Sequence, residues 1–442
     1  DTGARDLTVN VERMEVLKGP SSVLYGGGLP IGGIVNVVSK LPVLTRFAEA
    51  GLSMGSNGRV SPFFDINQPL NQQGTILFRV TGQYEKTGTQ IESIERKSYT
   101  LNPTLTFTNN AGTSLVLQGH ISERRQPEYS GLPAVGTLDR STFSIRRNLF
   151  VGDLATLPET RSQNLSLTAR FNHIFNDSWS TFSALRISRS KFDEPSQYVT
   201  GLVNGNTPIF GSVFQQVNGY LGETNTEISA NSNILAKFNI GPTQNKLLFG
   251  VDYNRVTDKG ILNADAFITA DLADMTAPIF KPFVYPPAGF FSTFSDIDNV
   301  YTTTGATAQL HSTIFNRLHL LAGARLVNVD IKSNERAPFA PNAFHSSDTK
   351  VLPRFGAVYD LLPGLSIFAA YSEGLRAVPF FSAAGAAPKP EGARNLEGGV
   401  KLNTSFGLSG TLAVFDLRRT NVVVAGPFGL GVQSGEQRSK GF

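Results

Sequence analysis

From about residue 43 onward the chain alternates apolar and polar residues one by one, and that alternation confines it to one class of fold. In 98–107, Tyr99, Leu101, Pro103, Leu105 and Phe107 fall on one face and Thr100, Asn102, Thr104 and Thr106 on the other. In 164–175, Leu165, Leu167, Ala169, Phe171 and Phe175 alternate with Asn164, Ser166, Thr168, Arg170 and Asn172. A period of two is that of a β-strand with one greasy and one polar face. The alternation slips in 181–190, where a β-bulge is expected.

The connectors carry a second pattern. Short, turn-forming stretches (67–74, 108–112, 175–179, 241–245, 313–317, 361–364 and 403–407) alternate strictly with long ones near 86–97, 126–160, 193–222, 259–294, 332–348, 376–390 and 419–431. In an up-and-down sheet successive connectors lie at opposite ends, so all short turns gather at one end and all long loops at the other. That asymmetry belongs to outer-membrane barrels. Phe175, Trp179, Phe315, Tyr359 and Phe406 flank short turns, as an interfacial girdle requires. The polar face carries Arg79, Gln83, Glu85, Arg170, Asn172, Lys246, Asp252, Glu397 and Lys401, which suits a wide, hydrated lumen. A propeller is the soluble alternative, but no fixed repeat or blade motif is present.

Composition excludes several functions. There is no cysteine, hence no disulfide, thiolate metal site or cysteine nucleophile. The formal net charge of +4 argues against a dedicated nucleic-acid binder. Mean hydropathy is −0.08 and no apolar run approaches the length of a membrane helix, which leaves a membrane β-barrel open. Gly51–Gly55 matches the G-x-S-x-G pattern around Ser53, but a tight turn follows instead of the helix that a nucleophile elbow needs. His120, His173, His311, His319 and His345 show no recognised metal spacing. No catalytic residue, metal ligand or cofactor is expected.

Residues 11–40 differ from everything after them. VERMEVLKG reads as a strand to Gly19. Pro20 opens a short helical turn, Gly26, Gly27 and Gly28 close it, and IVNVVSK is a second strand. The glycines miss the dinucleotide and P-loop spacings. The run VERMEVLKGPSSVLYG, then GGIVNVVSKLP, resembles the closing segment of the plug domain of TonB-dependent outer-membrane receptors. Two further stretches resemble the siderophore-receptor branch. One is GLPAVGT, 131–137. The other is the strand start PKPEGARNLEGGVKL, 388–402, in which Pro390, Glu391, Glu397, Gly399 and Lys401 hold the pattern.

The resemblance implies an all-β fold: a transmembrane antiparallel β-barrel, 22 strands in the family and about 16 here, with the C-terminal part of an α+β plug domain. Residues 1–42 would end the plug and 43–442 form a partial barrel with long extracellular loops. The stretch is expected to be internal to a longer receptor, with a TonB box and most of the plug before it and further strands after it. It further implies a monomeric receptor in the outer membrane of a Gram-negative bacterium. That receptor binds a ferric siderophore, with iron carried only within its chelator, and imports it by gating of the plug through the TonB protein. Haem, cobalamin or a glycan as cargo, and a passive porin or adhesin, are the alternatives. Tyr129, Phe143, Phe283, Tyr285, Phe290 and Phe380 are loop rings suited to a bulky organic ligand. They are equally suited to packing the loops together. Arg124 and Arg125 suit an anionic chelate or lipopolysaccharide phosphates. Either role fits the sequence.

Overall fold

A computed structural model of the chain describes residues 7–18, 33–202, 205–339, 341–377, 389–425, 431–433 and 435–442. After a single 3-10 turn, Thr8–Asn10, β1 (Val11–Lys18) and β2 (Gly33–Ser39) pair antiparallel as a separate two-stranded sheet. The expected helical turn at Pro20 and the glycine hinge lie outside the described residues.

Nine strands follow in order: β3 (Phe47–Gly55), β4 (Arg59–Pro69), β5 (Ile76–Gly88), β6 (Glu95–Thr108), β7 (Thr113–Gln126), β8 (Thr160–Ile174), β9 (Trp179–Thr200), β10 (Val213–Ile240) and β11 (Thr243–Ala264). The three-residue β12 (Leu272–Asp274) pairs with the start of β10. Then come β13 (Thr293–Ile314), β14 (Leu318–Glu335), β15 (Asn342–Leu362), β16 (Leu365–Arg376), β17 (Glu391–Asn403) and β18 (Ser409–Thr420). A small ribbon, β19 (Val423–Ala425) with β20 (Gly431–Gln433), precedes β21 (Glu436–Gly441). Apart from β12 and the ribbon, each strand from β3 onward pairs antiparallel with the next. The sheet closes with β21 beside β3. Closure leaves no open edge, which is what a sheet in lipid requires.

The expected faces are the observed ones. Thr100, Asn102 and Thr104 are buried toward the lumen, while Tyr99, Leu101, Leu165 and Leu167 are exposed on the outside. The outward apolar surface runs round the barrel through Ile187, Ile234, Phe249, Val251, Leu326, Val351, Phe355 and Leu396 to Leu412 and Val414, which are 66% and 62% exposed. A water-facing surface does not carry such a continuous greasy band. The girdle residues Phe175, Trp179, Phe315, Tyr359 and Phe406 are all exposed beside the short turns.

Two expectations are corrected. No bulge interrupts β9: its register to β8 and β10 is unbroken. The alternation slips there because Phe182 and Arg186 face the lumen, while Leu185 and Ile187 face outward. The stretches 193–222, 259–294 and 332–348 are also not all loop. Here β10 is 28 residues long, and β9, β11 and β13 are 22 each. Only about 9–11 residues are needed to cross the hydrocarbon layer, so these strands stand well beyond it. Polar residues on both faces of the upper halves hid them from the two-residue rhythm.

Among the described residues the barrel has no central apolar core. Two apolar clusters instead lie in the long connectors: Ile91, Ile94, Phe150, Leu157 and Phe283 in one, and Ile145, Leu149, Val151, Phe214 and Met275 in the other. A third, Val327, Val329, Ile331, Leu352 and Leu375, lies on the inner wall.

Candidate functional site

The strand pair β1–β2 lies against the inward face of the barrel, and the segment that joins it to β3 is held by a polar clamp. The Asp65 carboxylate, almost fully buried, accepts two hydrogen bonds from Arg79, Nε at 2.8 Å and Nη2 at 2.7 Å, and one from Lys40 Nζ at 3.0 Å. Arg79 Nη1 also donates to the Leu41 carbonyl at 2.8 Å. Asn67 accepts from the Val43 amide at 2.9 Å and donates to the carbonyls of Val43 and Thr45 at 2.8 and 2.7 Å. The chain reverses here without secondary structure, so its backbone groups need side-chain partners, and β4 and β5 supply them. Farther along, contact thins to Thr81 Oγ1 donating to Asn10 Oδ1 and the Val9 amide donating to Gln83 Oε1, both at 3.3 Å.

Part of the charge on the lumen wall is neutralised in place. Arg325, 1% exposed, reaches across β13 to Asp252 with two 2.6 Å bonds. The crossing is open only because residue 305 is glycine: a Cβ there would run into the guanidinium. Glu85 holds Arg59 and Arg96 at 2.8 and 2.9 Å. Glu391, 1% exposed, holds Arg376 at 3.0 Å and Arg419 Nε at 2.6 Å, so the first glutamate of the strand-start motif joins β16, β17 and β18. Between β2 and the barrel wall lies a cavity of about 1690 Å³.

The long connectors fold into a roof. Gln197 donates to Asn218 Oδ1 at 2.8 Å and the Lys281 carbonyl at 3.2 Å, and accepts from the Asp153 amide at 2.7 Å. Gln216 both accepts from the Lys281 amide (2.8 Å) and donates to its carbonyl (3.0 Å). The ring residues named from sequence divide across this roof. Tyr129 packs against the first apolar cluster, Phe143 against the second, and Phe283 is buried within the first. Tyr285 and Phe290 are each 54% exposed; Tyr285 meets Phe283 and Tyr220 edge-on, and Phe290 meets Phe291 and Phe339. Phe380 lies outside the described residues. Arg124 and Arg125 point to opposite faces. Arg124 shares the inward face with His120 and Ser122, while Arg125 is outside and pairs with Glu123. A small open pocket of about 520 Å³ lies between Ser130–Ala134 and Tyr198–Thr200.

Sequence reading also missed a pair of carboxylates. Glu194, on the part of β9 beyond the membrane, is pushed up to about 7 by burial and then by the charge of Glu128. Glu128 is itself raised by burial, against the opposing effect of Arg124. Glu194 binds its proton more tightly in the folded chain than in the unfolded one. Its contribution to stability is therefore complete below about pH 4.5 and is lost as pH rises to about 7. Glu194→Gln is expected to flatten the pH dependence of roof stability across that window, measured by hydrogen exchange of 127–159. An unchanged slope would exclude Glu194 as its source.

Ser53 sits mid-strand in β3 and accepts a 2.9 Å bond from Arg59, with no histidine among its described partners. His311 and His319 stack near the turn at 315–317, and His319 Nε2 lies 3.2 Å from Asp360. Among the described residues no group of three or more potential ligands is placed to hold a metal.

Comparison with known proteins agrees with this geometry. A family model described as TonB dependent receptor-like, beta-barrel, matches residues 71–442. The metal-pseudopaline receptor of Pseudomonas aeruginosa is 28% identical over 462 residues, covering 98% of this chain and 61% of that protein. The ferrioxamine B receptor of Salmonella typhimurium is 25% identical over 420 residues, covering 93% and 57%. Among solved structures, the closed form of the ferric-catecholate import receptor Fiu from Escherichia coli K12 superposes with a TM-score of 0.83. It is 21% identical and covers 98% of this chain and 66% of that one. The chain thus spans about three-fifths of the length of the curated relatives it matches.

Proposed function

Because this chain belongs to the TonB-dependent receptor β-barrel family, a family of transport receptors, we propose that it is part of an outer-membrane receptor that binds a ferric siderophore and imports it into the periplasm. One observation carries the reading furthest: a continuous outward apolar band encloses a polar, charge-lined lumen that already holds a strand pair. A freely diffusing pore does not need that internal strand pair, and an enzyme does not need the band.

In this reading residues 1–42 close the plug domain and 43–442 are barrel. The TonB protein acts on the plug from the periplasmic side, and gating follows displacement of the plug. Iron arrives inside its chelator, so the chain needs no cofactor or metal ligand of its own. The protein works as a monomer in the outer membrane of a Gram-negative bacterium. Lipopolysaccharide phosphates meet the outward charged row of Lys86, Lys97, Arg125 and Arg161 above the apolar band. The exposed rings Tyr285 and Phe290 touch the ligand, while Tyr129, Phe143 and Phe283 hold the roof that presents them.

The test is growth of a deletion strain under iron limitation on a panel of hydroxamate, catecholate and mixed siderophores. Loss of growth on one class, restored by the intact gene, is the expected result; unchanged uptake across the panel would sink the proposal. Tyr285→Ala with Phe290→Ala is expected to weaken binding of that siderophore about tenfold and leave barrel stability unchanged. Phe283→Ala should lower stability by about 3 kcal/mol as a buried ring is lost. Equal binding by native chain and ring variant would remove both rings from the site.

A further inference from the structure

Local neutralisation of charge on the lumen wall is incomplete among the described residues: Lys237 and Lys246, opposed in the β10–β11 ladder, make no ion pair there. Arg59, Arg79, Arg96, Arg325, Arg376 and Arg419 each sit on a carboxylate. Arg170 and Arg186 do not: neither makes an ion pair or a side-chain hydrogen bond with any described residue. They are diagonal neighbours on adjacent strands, since Arg170 faces Ala184 and Arg186 faces Thr168 in the β8–β9 ladder. Arg186 lines the large cavity, as does Asn172 on the same face as Arg170. The charged group nearest in effect to Arg170 is Arg186 itself.

Of the carboxylates on the same cavity, Asp252 is paired with a cation, while Glu227, a diagonal neighbour of Arg186 in the β9–β10 ladder, takes only neutral donors. Asp252 is bound in both oxygens by Arg325. Glu227 takes the Asn254 amide at 2.7 Å and the Ser188 hydroxyl at 3.4 Å. Guanidinium groups do not deprotonate in proteins, so the two like charges persist side by side. Two neighbouring guanidinium forks on one face of the sheet match the planar, multiply accepting oxygens of a carboxylate or phosphate.

We propose that Arg170 and Arg186 form an oxyanion site on the lumen wall, taking a carboxylate or phosphate group, with Asn172 as a neutral donor beside them. The oxyanion has two sources, a soluble anion or an acidic side chain of the receptor, and in this chain the test addresses the second through Asp1 and Asp6. The segments outside the described residues carry two carboxylate side chains, Asp1 and Asp6. The site lies below the roof and goes beyond the transport reading. Its test reads binding, not uptake, so either can fail alone.

The experiment uses the full chain in lipid nanodiscs, titrated with citrate at low and physiological salt. Binding that weakens with salt is expected. It should fall at least tenfold in the Arg170→Gln, Arg186→Gln double variant and stay unchanged in Arg255→Gln, which alters an outward residue. Citrate binding that emerges only when Asp1 and Asp6 are changed to Asn, and vanishes with the arginines, would assign the same site to an internal carboxylate. Without anion, the double variant should unfold at the same temperature as native chain or higher, because repulsion has been removed. No arginine-dependent binding in either background, or a marked loss of stability in the anion-free double variant, would overturn the proposal.

Discussion

Asp65→Ala is expected to destabilise the chain by about 3–5 kcal/mol, the usual cost of leaving a buried charge without its partner. Arg79 would keep its guanidinium in the wall with only the Leu41 carbonyl and the Phe47 ring beside it, and Lys40 would lose its only carboxylate among the described residues. Reversible urea unfolding in lipid vesicles measures the loss. The double variant Asp65→Leu, Arg79→Met should recover most of it, since removing both charges removes the desolvation penalty as well. A second readout separates clamp from wall. Spin labels at Met14 and on the barrel exterior should show a broadened distance distribution in Asp65→Ala, because the segment 40–45 would no longer be fixed. A native distribution in that variant would mean that Asn67 alone holds the junction.

Asp252→Ala should cost a similar amount, about 3 kcal/mol or more, for a different reason. Arg325 is, with Glu391, among the most enclosed charges on the wall, and its Nε lacks a hydrogen-bond partner among the described residues. Gly305→Val is expected to mimic this loss with both charged residues intact, because the new side chain would occupy the crossing between them. Arg325→Met should be much milder than either. A chain in which Asp252→Ala and Arg325→Met were equally harmful would show that packing at position 325, not charge, is what matters there.

Much of the barrel could be read from sequence because a lipid-facing strand has one constraint at every second residue. Leu165, Leu167 and Phe171 obey it, and the expected strand coincides with β8. The rule weakens where both faces meet water or protein, which is why the upper halves of β9, β10 and β11 read as loop. It also weakens inside the lumen, where Phe182 and Arg186 are equally admissible beside a cavity. The roof was harder. Aromatic content marked 280–291 as important, but no local pattern separates Phe283, which is buried, from Tyr285, which is not. That division depends on Ile91, Phe150 and Leu157, far away in the chain. The carboxylate pair was invisible for the same reason: Glu128 and Glu194 are brought together by two connectors and a strand end. Arg79 and Glu391 were singled out, yet their partners follow from cross-strand register, which sequence alone does not specify.

That register has a consequence for how such a chain can change its length. Along β8 to β11 the ladders run without a slip except near the end of β11, and β10 alone is matched residue by residue for 22 positions on each side. Because side chains alternate, one extra residue within β10 would exchange inside and outside for everything on one side of the insertion. Ile228 and Ile234 would turn into water, and Glu227 and Asn231 into lipid. The sheet therefore behaves like a reading frame. Single insertions in its strands act as frameshifts, and diversity in length is confined to the roof, where it can alter what is bound without touching how the chain sits in its membrane.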